Sequence, residues 1–154
     1  MVGLDVGERR IGVAMSDARG VLASPATTLH VRALGAAALD LVSAAIARLA
    51  GDDPVHGIVV GLPRRLDGSP TTTTAMVQRF ADALHARTGL PVHLQDERLT
   101  SREAESRLAL RERSWRARKV RLDAAAAAII LQDFLDNRPA TGRASDTVVA
   151  DIED

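Results

Sequence analysis

Apolar residues alternate with small or polar ones along the start of the chain. Val2, Leu4 and Val6 are separated by Gly3 and Asp5, and Ile11, Val13 and Met15 by Gly12 and Ala14. A period of two predicts strands. Gly7 to Arg10 makes the intervening turn and Asp17 to Gly20 the next, and a third strand runs from Val21 towards Leu29, broken near Pro25. Three successive strands joined by short turns form an antiparallel meander.

The period then lengthens. Leu34, Ala38, Leu41, Ala45 and Leu49 form one stripe of a helix over Ala33–Leu49 that stops at Gly51. The run Gly57 to Gly61 is wholly apolar, as expected of a central strand buried on both faces. A polar loop follows over Pro63–Pro70, with a turn at Asp67-Gly68. Thr72 or Thr73 is placed to cap a helix to about Thr88, closed by Gly89. Pro91–Gln95 predicts another strand and Thr100–Leu110 another helix. After an arginine-rich link, Val120–Asp136 predicts a last helix around Ala124–Ala128. The order β-β-β-α-β-α-β-α-α is that of an α/β domain, a hairpin sheet extended by parallel strands with helices on its faces. There is no internal repeat and no second domain. The globular pattern ends at Pro139, and a mobile tail is expected beyond it.

Composition narrows the chemistry. The 154 residues are 46% apolar, enough for one core without staples. The absence of cysteine excludes disulfides, a thiol nucleophile and cysteine-ligated metals. No apolar run approaches the roughly 18 residues of a spanning helix. The opening MVGLDVGERR also lacks a basic segment before a greasy one, so a cytoplasmic protein with no membrane partner is expected. Net charge is zero, but unevenly spread. Arg98–Arg121 carries nine basic residues against three acidic ones, while Asp133–Asp154 carries six acids against Arg138 and Arg143. A basic block beside an acidic tail suits a polyanionic partner. On charge alone, a solvated helix face laced with pairs such as Glu103–Arg107 accounts for it equally well.

Three carboxylates stand out. Asp5 lies inside a strand that should be central, where aspartate is depleted and an uncompensated buried carboxylate costs several kcal/mol, roughly. Alternation puts it on one face with Gly3 and Gly7, leaving space of the kind a metal ion or phosphate needs; backbone amides at an edge or turn are the plainer explanation. Glu97 follows the last strand, at the carboxyl end where ligand sites of open α/β sheets collect, although one acid there can be simply solvated. Asp123 opens the alanine-rich helix, where a first-turn acid answers the helix dipole. The small side chains after it let that helix approach the sheet and bring Asp123 towards Asp5. Together the three form an all-oxygen set that selects Mg²⁺ or Mn²⁺ over zinc. His30, His56, His85 and His93 show no metal-ligand spacing, and no Ser-His-Asp arrangement is suggested.

The segments GLDVGERRIGVAMSD, GLPRRLDG, QDERLTSREAE and KVRLDAAAAAIILQDFLD resemble, in order and spacing, the YqgF/RuvX family. The likeness runs from Val2 to about Asn137. It implies a ribonuclease H-like fold with a mixed five-stranded sheet, order 3-2-1-4-5, three strands antiparallel and two parallel, and helices on both faces. It assigns residues 1–137 to the nuclease domain, leaving 138–154 as the acidic tail. It also implies that Asp5, Glu97 and Asp123 are catalytic and hold metal; Gly7, Arg10, Gly61, Pro63, Arg98, Thr100 and Lys119 match motif positions around that site. Family members are described as Holliday junction resolvases related to RuvC and as nucleases maturing the 5′ end of 16S ribosomal RNA. Two features depart from the pattern: the first strand is short, as if the start were late, and Trp115 sits among arginines where a flexible basic loop is expected.

On this basis two Mg²⁺ or Mn²⁺ ions, about 3.5–4 Å apart, are expected across the scissile phosphate, with Asp5 bridging them and Glu97 and Asp123 holding one each. Arg10, Arg98, Arg102, Arg107, Arg116, Arg118, Lys119 and Arg121 would contact phosphates, giving salt-dependent affinity without sequence readout. Aromatic content is 2%, Phe80, Phe134 and Trp115, too little for a stacking platform. A lone Trp115 is more simply a hydrophobic plug under the link than a wedge between bases at a branch or unpaired end. The D-x-G hairpin also resembles the phosphate hairpin of actin-like ATPases, a fold that needs a duplicated domain this length does not supply. A non-catalytic RNA-binding ribosome-assembly module suits the basic block and leaves the carboxylates without a task. RNA trimming needs one site, whereas junction resolution calls for a homodimer with two.

Overall fold

A computed structural model describes residues 1–63, 69–96 and 115–138, with side chains of the last helix described from Asp123 onward. The meander forms as alternation predicts: β1 (Val2–Val6), β2 (Arg10–Ser16) and β3 (Ala23–His30). β1 pairs antiparallel with β2, in a register that sets Gly3 opposite Ala14 and Asp5 opposite Gly12. β3 starts two residues later than the sequence pattern suggests. Val21 and Leu22 remain in the turn, both about 60% exposed. Their amides donate to Asp17 Oδ1 at 2.8 and 3.2 Å, which fastens the turn before the ladder begins. Pro25 does not break the strand. The register shifts beside it, with Val13 opposite Thr27 and Ala14 opposite Pro25, and an edge strand tolerates a residue with no N–H.

Helix α1 (Ala36–Ala50) leads to β4 (Ile58–Leu62), which pairs parallel with β1; α2 (Thr72–Thr88) leads to β5 (Val92–Asp96), parallel with β4. The sheet order is therefore β3-β2-β1-β4-β5, three antiparallel strands followed by two parallel ones, as expected. The α1 stripe is turned slightly from its expected position. Ala38, Val42, Ala45 and Ile46 are buried, whereas Leu41 is 44% exposed at the stripe's edge. Thr71, one residue before the expected caps, is the N-cap of α2. Its hydroxyl accepts from Thr74 N at 3.2 Å while Thr71 N donates to Thr74 Oγ1 at 2.8 Å, a reciprocal box that positions 72 and 73 have no matching partner to form. Thr74 Oγ1 also donates to the Pro63 carbonyl, tying the exit of β4 to the start of α2. Gly89, at φ +74°, ends the helix in the left-handed conformation that favours glycine.

Helix α3 (Trp115–Asp136) begins five residues before the expected Val120. The Arg-Ala-Arg-Lys stretch counted as link contains no glycine or proline, and its residues are good helix formers. The two sheet faces are covered differently. Val2, Leu4, Val6, Ile11, Val13, Ile58, Val60 and Val92 pack against α1 and α2. Ala14 and Val59 pack against Ala127, Ile130, Leu131 and Phe134 of α3. Burying such aliphatic side chains contributes about 1.5–3 kcal/mol each, which makes the two layers the main source of stability. The expected helix at Thr100–Leu110 and the acidic tail beyond Arg138 lie outside the described residues. Among the described residues no helix is long and apolar enough to cross a membrane.

Candidate active site

Asp5 is the fourth residue of β1 and half-buried. Because opposed residues of an antiparallel pair point to the same face, Asp5, Gly12 and Gly3 all face α3. The row continues across the sheet. Asp5 and Gly61 stand one step beyond the Leu4–Val60 pair, and Gly61 pairs with Gln95 of β5. That row lies at the carboxyl end of the parallel strands.

The glycines on this face make helix contacts. A Cβ on Gly3 would lie 2.7 Å from Leu131 Cβ and 2.9 Å from the Ala127 carbonyl oxygen. The open space expected over Gly3 is therefore filled by α3. The contact at Gly12 is closer still: its Cβ would fall 1.9 Å from the Asp123 carbonyl oxygen and 2.4 Å from the Asp123 carbonyl carbon. Gly12 thus lets the backbone of α3 rest on β2 directly beside Asp5, and the alanines after Asp123 allow the same closeness along the helix. Ala126 and Ala127 are almost fully buried. A glycine inside a strand signals such an approach, although sequence does not name the approaching partner.

Asp123 lies two turns inside α3, because the helix starts at Trp115. It is not a first-turn acid, and the helix dipole does not account for it. Its carboxylate instead meets Arg10, the first residue of β2, whose Nε lies 3.1 Å from Asp123 Oδ2. The two side chains are 31% and 22% exposed. Arg10 reaches that face because it is two residues from Gly12. The backbone turn that launches it is tight: Gly7 N donates to the Arg10 carbonyl at 2.9 Å, and a Cβ on Gly7 would sit 2.9 Å from that oxygen. The ion pair was not legible as such in the sequence, where Arg10 reads as a phosphate contact; its two-residue spacing from Gly12 was the available signal.

The structure therefore brings Asp5, Asp123 and Arg10 to one place. Glu97, Arg98, Arg102 and Arg107 lie outside the described residues, whose preceding stretch ends at Asp96, the last residue of β5. Trp115, Arg116, Arg118 and Lys119 belong to the backbone of α3 rather than to a link, Arg121 lies in the same helix as expected, and the side chains of all five are likewise outside the description. Among the described residues no three His, Asp or Glu side chains form a group able to hold a metal ion. The pair present does fit the expected hard cation: both donors are carboxylate oxygens, and a positive group already sits against one of them. A cavity of about 280 Å³ bounded by Met1, Ser16, Asp17, Asp53 and His56 opens at the amino ends of β1 and β4, the opposite end from these carboxylates.

This architecture and these motifs have counterparts. A family model described as RuvX, Holliday junction resolvase, matches residues 1–137. The chain belongs to the RuvX family. Among its relatives, a protein of Chloroflexus aggregans named "Putative pre-16S rRNA nuclease" is 45% identical over 140 residues, covering 90% of this chain and 94% of that one. A protein of the same name from Thermosynechococcus vestitus is 42% identical over 145 residues, covering 94% and 93%. Among solved structures, Thermus thermophilus RuvC in complex with a Holliday junction substrate superposes with a TM-score of 0.50 at 15% identity, covering 92% of this chain and 98% of that one. The likeness to RuvC is one of fold. The RuvX-family chain has the ribonuclease H-like sheet, β3-β2-β1-β4-β5, with α1 and α2 on one face and α3 on the other.

Proposed function

We propose that this chain is a metal-dependent nuclease that hydrolyses phosphodiester bonds in the 5′-end processing of pre-16S ribosomal RNA. The observation that carries the reading is the convergence of Asp5 and Asp123 beside Gly12. Asp5 lies opposite Gly12 in a central strand, and the close approach at Gly12 brings the backbone of Asp123, well inside a packed helix, to the same place. Relatives at 42–45% identity that bear the nuclease name support the same activity here. Residues 1–137 form the nuclease domain, with 138–154 an acidic tail, and work on ribosomal RNA places the protein in the cytoplasm.

Asp5, Glu97 and Asp123 would hold the metal and act as the catalytic set. Glu97 is the residue immediately after β5 and two positions beyond Gln95, which shares the face of Asp5. When bound, two Mg²⁺ or Mn²⁺ ions supply an activated water and neutralise the leaving oxygen. The chain's own part is to fix the carboxylates: the sheet holds Asp5, and the contact at Gly12 holds the helix that bears Asp123. Arg10, Arg98, Arg102, Arg107, Arg116, Arg118, Lys119 and Arg121 bind phosphates and orient the strand without reading its sequence. Trp115 is a plug under the helix start or, failing that, a wedge between bases.

The family description favours a second reading, a resolvase that cuts branched DNA. Paired cuts require two sites facing paired strands, hence a homodimer. A mobile four-way DNA junction and a 16S precursor leader RNA, both end-labelled, are incubated with Mn²⁺ and either the unmodified chain or Asp5→Asn. Cleavage of the leader alone, absent from Asp5→Asn, is expected. Paired symmetric nicks in the junction would move the assignment to the resolvase. Cleavage of neither above the variant's background would leave an RNA-binding assembly factor.

A further inference from the structure

Asp123 already has a cation against it. The Arg10 guanidinium approaches Oδ2 from the first position of β2, and the backbones of both partners are held in place while the side chains are not. The Asp123 backbone is pressed on Gly12, and the Arg10 backbone is held by the Gly7 amide. A divalent ion bound through the same oxygen must displace that guanidinium or share the oxygen with a second positive charge a few ångströms away. The two side chains are 31% and 22% exposed while Asp123 Oδ2 itself is buried, so water screens the pair only in part.

We infer that Arg10 is a built-in competitor for the divalent ion at Asp123: it occupies the carboxylate while metal is absent and yields it when metal binds. The inference rests on the metal-site reading above and adds a residue that opposes loading. It also reconciles the two roles available to Arg10, because a guanidinium displaced from Asp123 becomes free to meet a substrate phosphate at the same place. The alternative is that Arg10 is a rigid prop that presents Asp123 to the ion. The two predict opposite signs for the effect of removing it.

Calorimetric titration of the full chain with MnCl₂ distinguishes them, using the unmodified protein, Arg10→Gln, Arg10→Lys and Asp5→Asn. Arg10→Gln is expected to bind Mn²⁺ at least about five-fold more tightly, the upper range for a fully exposed pair. Arg10→Lys, which keeps the charge, stays within about two-fold of the unmodified protein on the same basis. Metal-free Arg10→Gln melts below the unmodified protein, and saturating Mn²⁺ closes that gap. In the unmodified chain the Arg10 Nε–H resonance, assigned by its loss in Arg10→Lys, shifts on adding Mg²⁺. This last measurement needs no variant that depends on the missing pair to fold. Equal or weaker Mn²⁺ binding by Arg10→Gln, or an Arg10 resonance unmoved at saturating Mg²⁺, would overturn the inference. If the unmodified protein binds Mn²⁺ and Asp5→Asn abolishes that binding, either result overturns it while leaving the metal site standing. If no variant binds Mn²⁺, the metal-site reading fails and the competitor role fails with it.

Discussion

Gly12→Ala tests the contact on which the candidate site depends. The added Cβ would sit 1.9 Å from the Asp123 carbonyl oxygen and 3.0 Å from Ala124 N, all backbone atoms that no rotamer change can move aside. Restoring ordinary contact at 3.4 Å requires α3 and β2 to separate locally by about 1.5 Å, the difference between that distance and 1.9 Å. Overpacking of this kind costs roughly 1–3 kcal/mol, with the upper end applying where backbone must move. Loss of glycine's freedom in the unfolded chain returns about 0.4–1 kcal/mol. The net is about 2 kcal/mol, or a melting temperature lower by roughly 4–8 °C for a chain of this length. Activity should fall further than stability does, because a displacement near 1 Å at a reacting centre costs on the order of 10²-fold. Gly3→Ala is the matched comparison. Its Cβ would lie 2.7 Å from Leu131 Cβ and 2.9 Å from the Ala127 oxygen, one to two turns further along the same helix, so it should cost somewhat less stability and far less of the activity. Thermal melting and Mn²⁺-dependent cleavage of labelled leader RNA read both quantities. A Gly12→Ala protein that melts within about 1 °C of the parent and cleaves at its rate would refute the close approach of α3.

Arg102→Ala and Arg107→Ala should each weaken RNA binding across sequences and reduce the slope of log affinity against log salt by about 1; unchanged slopes would remove them from the phosphate contacts. Trp115→Ala should lower the melting temperature and leave RNA affinity unchanged if the tryptophan is a plug, and a loss of affinity at constant melting temperature would make it a wedge. Backbone amides of Val21 and Leu22 hold the Asp17 carboxyl below its ordinary value, so its contribution is present above the unfolded carboxylate range and is lost as pH falls through the lowered folded value. The melting-temperature gap between the parent and Asp17→Asn should therefore narrow on acidification, and a gap that widens would contradict the assignment. Gly35 caps α1 with no side-chain hydrogen bond, and the first turn carries no acid. Gly35→Asp should supply both, raising stability by about 0.3–1 kcal/mol, a gain that differential melting at low salt can measure.

Much of the fold was legible because its signals are local. The alternation of Val2, Leu4 and Val6 and of Ile11, Val13 and Met15 gives the hairpin, and the stop at Gly89 gives the end of α2. Where local signals are silent, the sequence misleads. Arg116 to Lys119 reads as a link by its charge, yet charge is no helix breaker, and α3 begins at Trp115. That difference moves Asp123 from a first turn, where an acid is ordinary, to a helix interior, where it requires a partner. Leu41 fits a helical stripe on paper and lies outside the buried one, because periodicity defines a face only to within the width of a side chain.

The site itself follows from a count that sequence already contains. Val6 pairs with Ile11, so residues 7–10 form the turn, and that length alone sets Asp5 opposite Gly12. The same register brings Arg10 to the face of Asp5 and sends Ile11 and Val13 to the core under α1 and α2. Side chains alternate with a period of two, so a one-residue slip in pairing would turn Ile11 and Val13 towards α3 and take Arg10 and Gly12 away from Asp5. The apolar residues that stabilise the hairpin thus also hold the acid, the glycine and the arginine in place. The hydrophobic pattern of β2 therefore protects the candidate site against slippage, even though Ile11 and Val13 face away from the carboxylates.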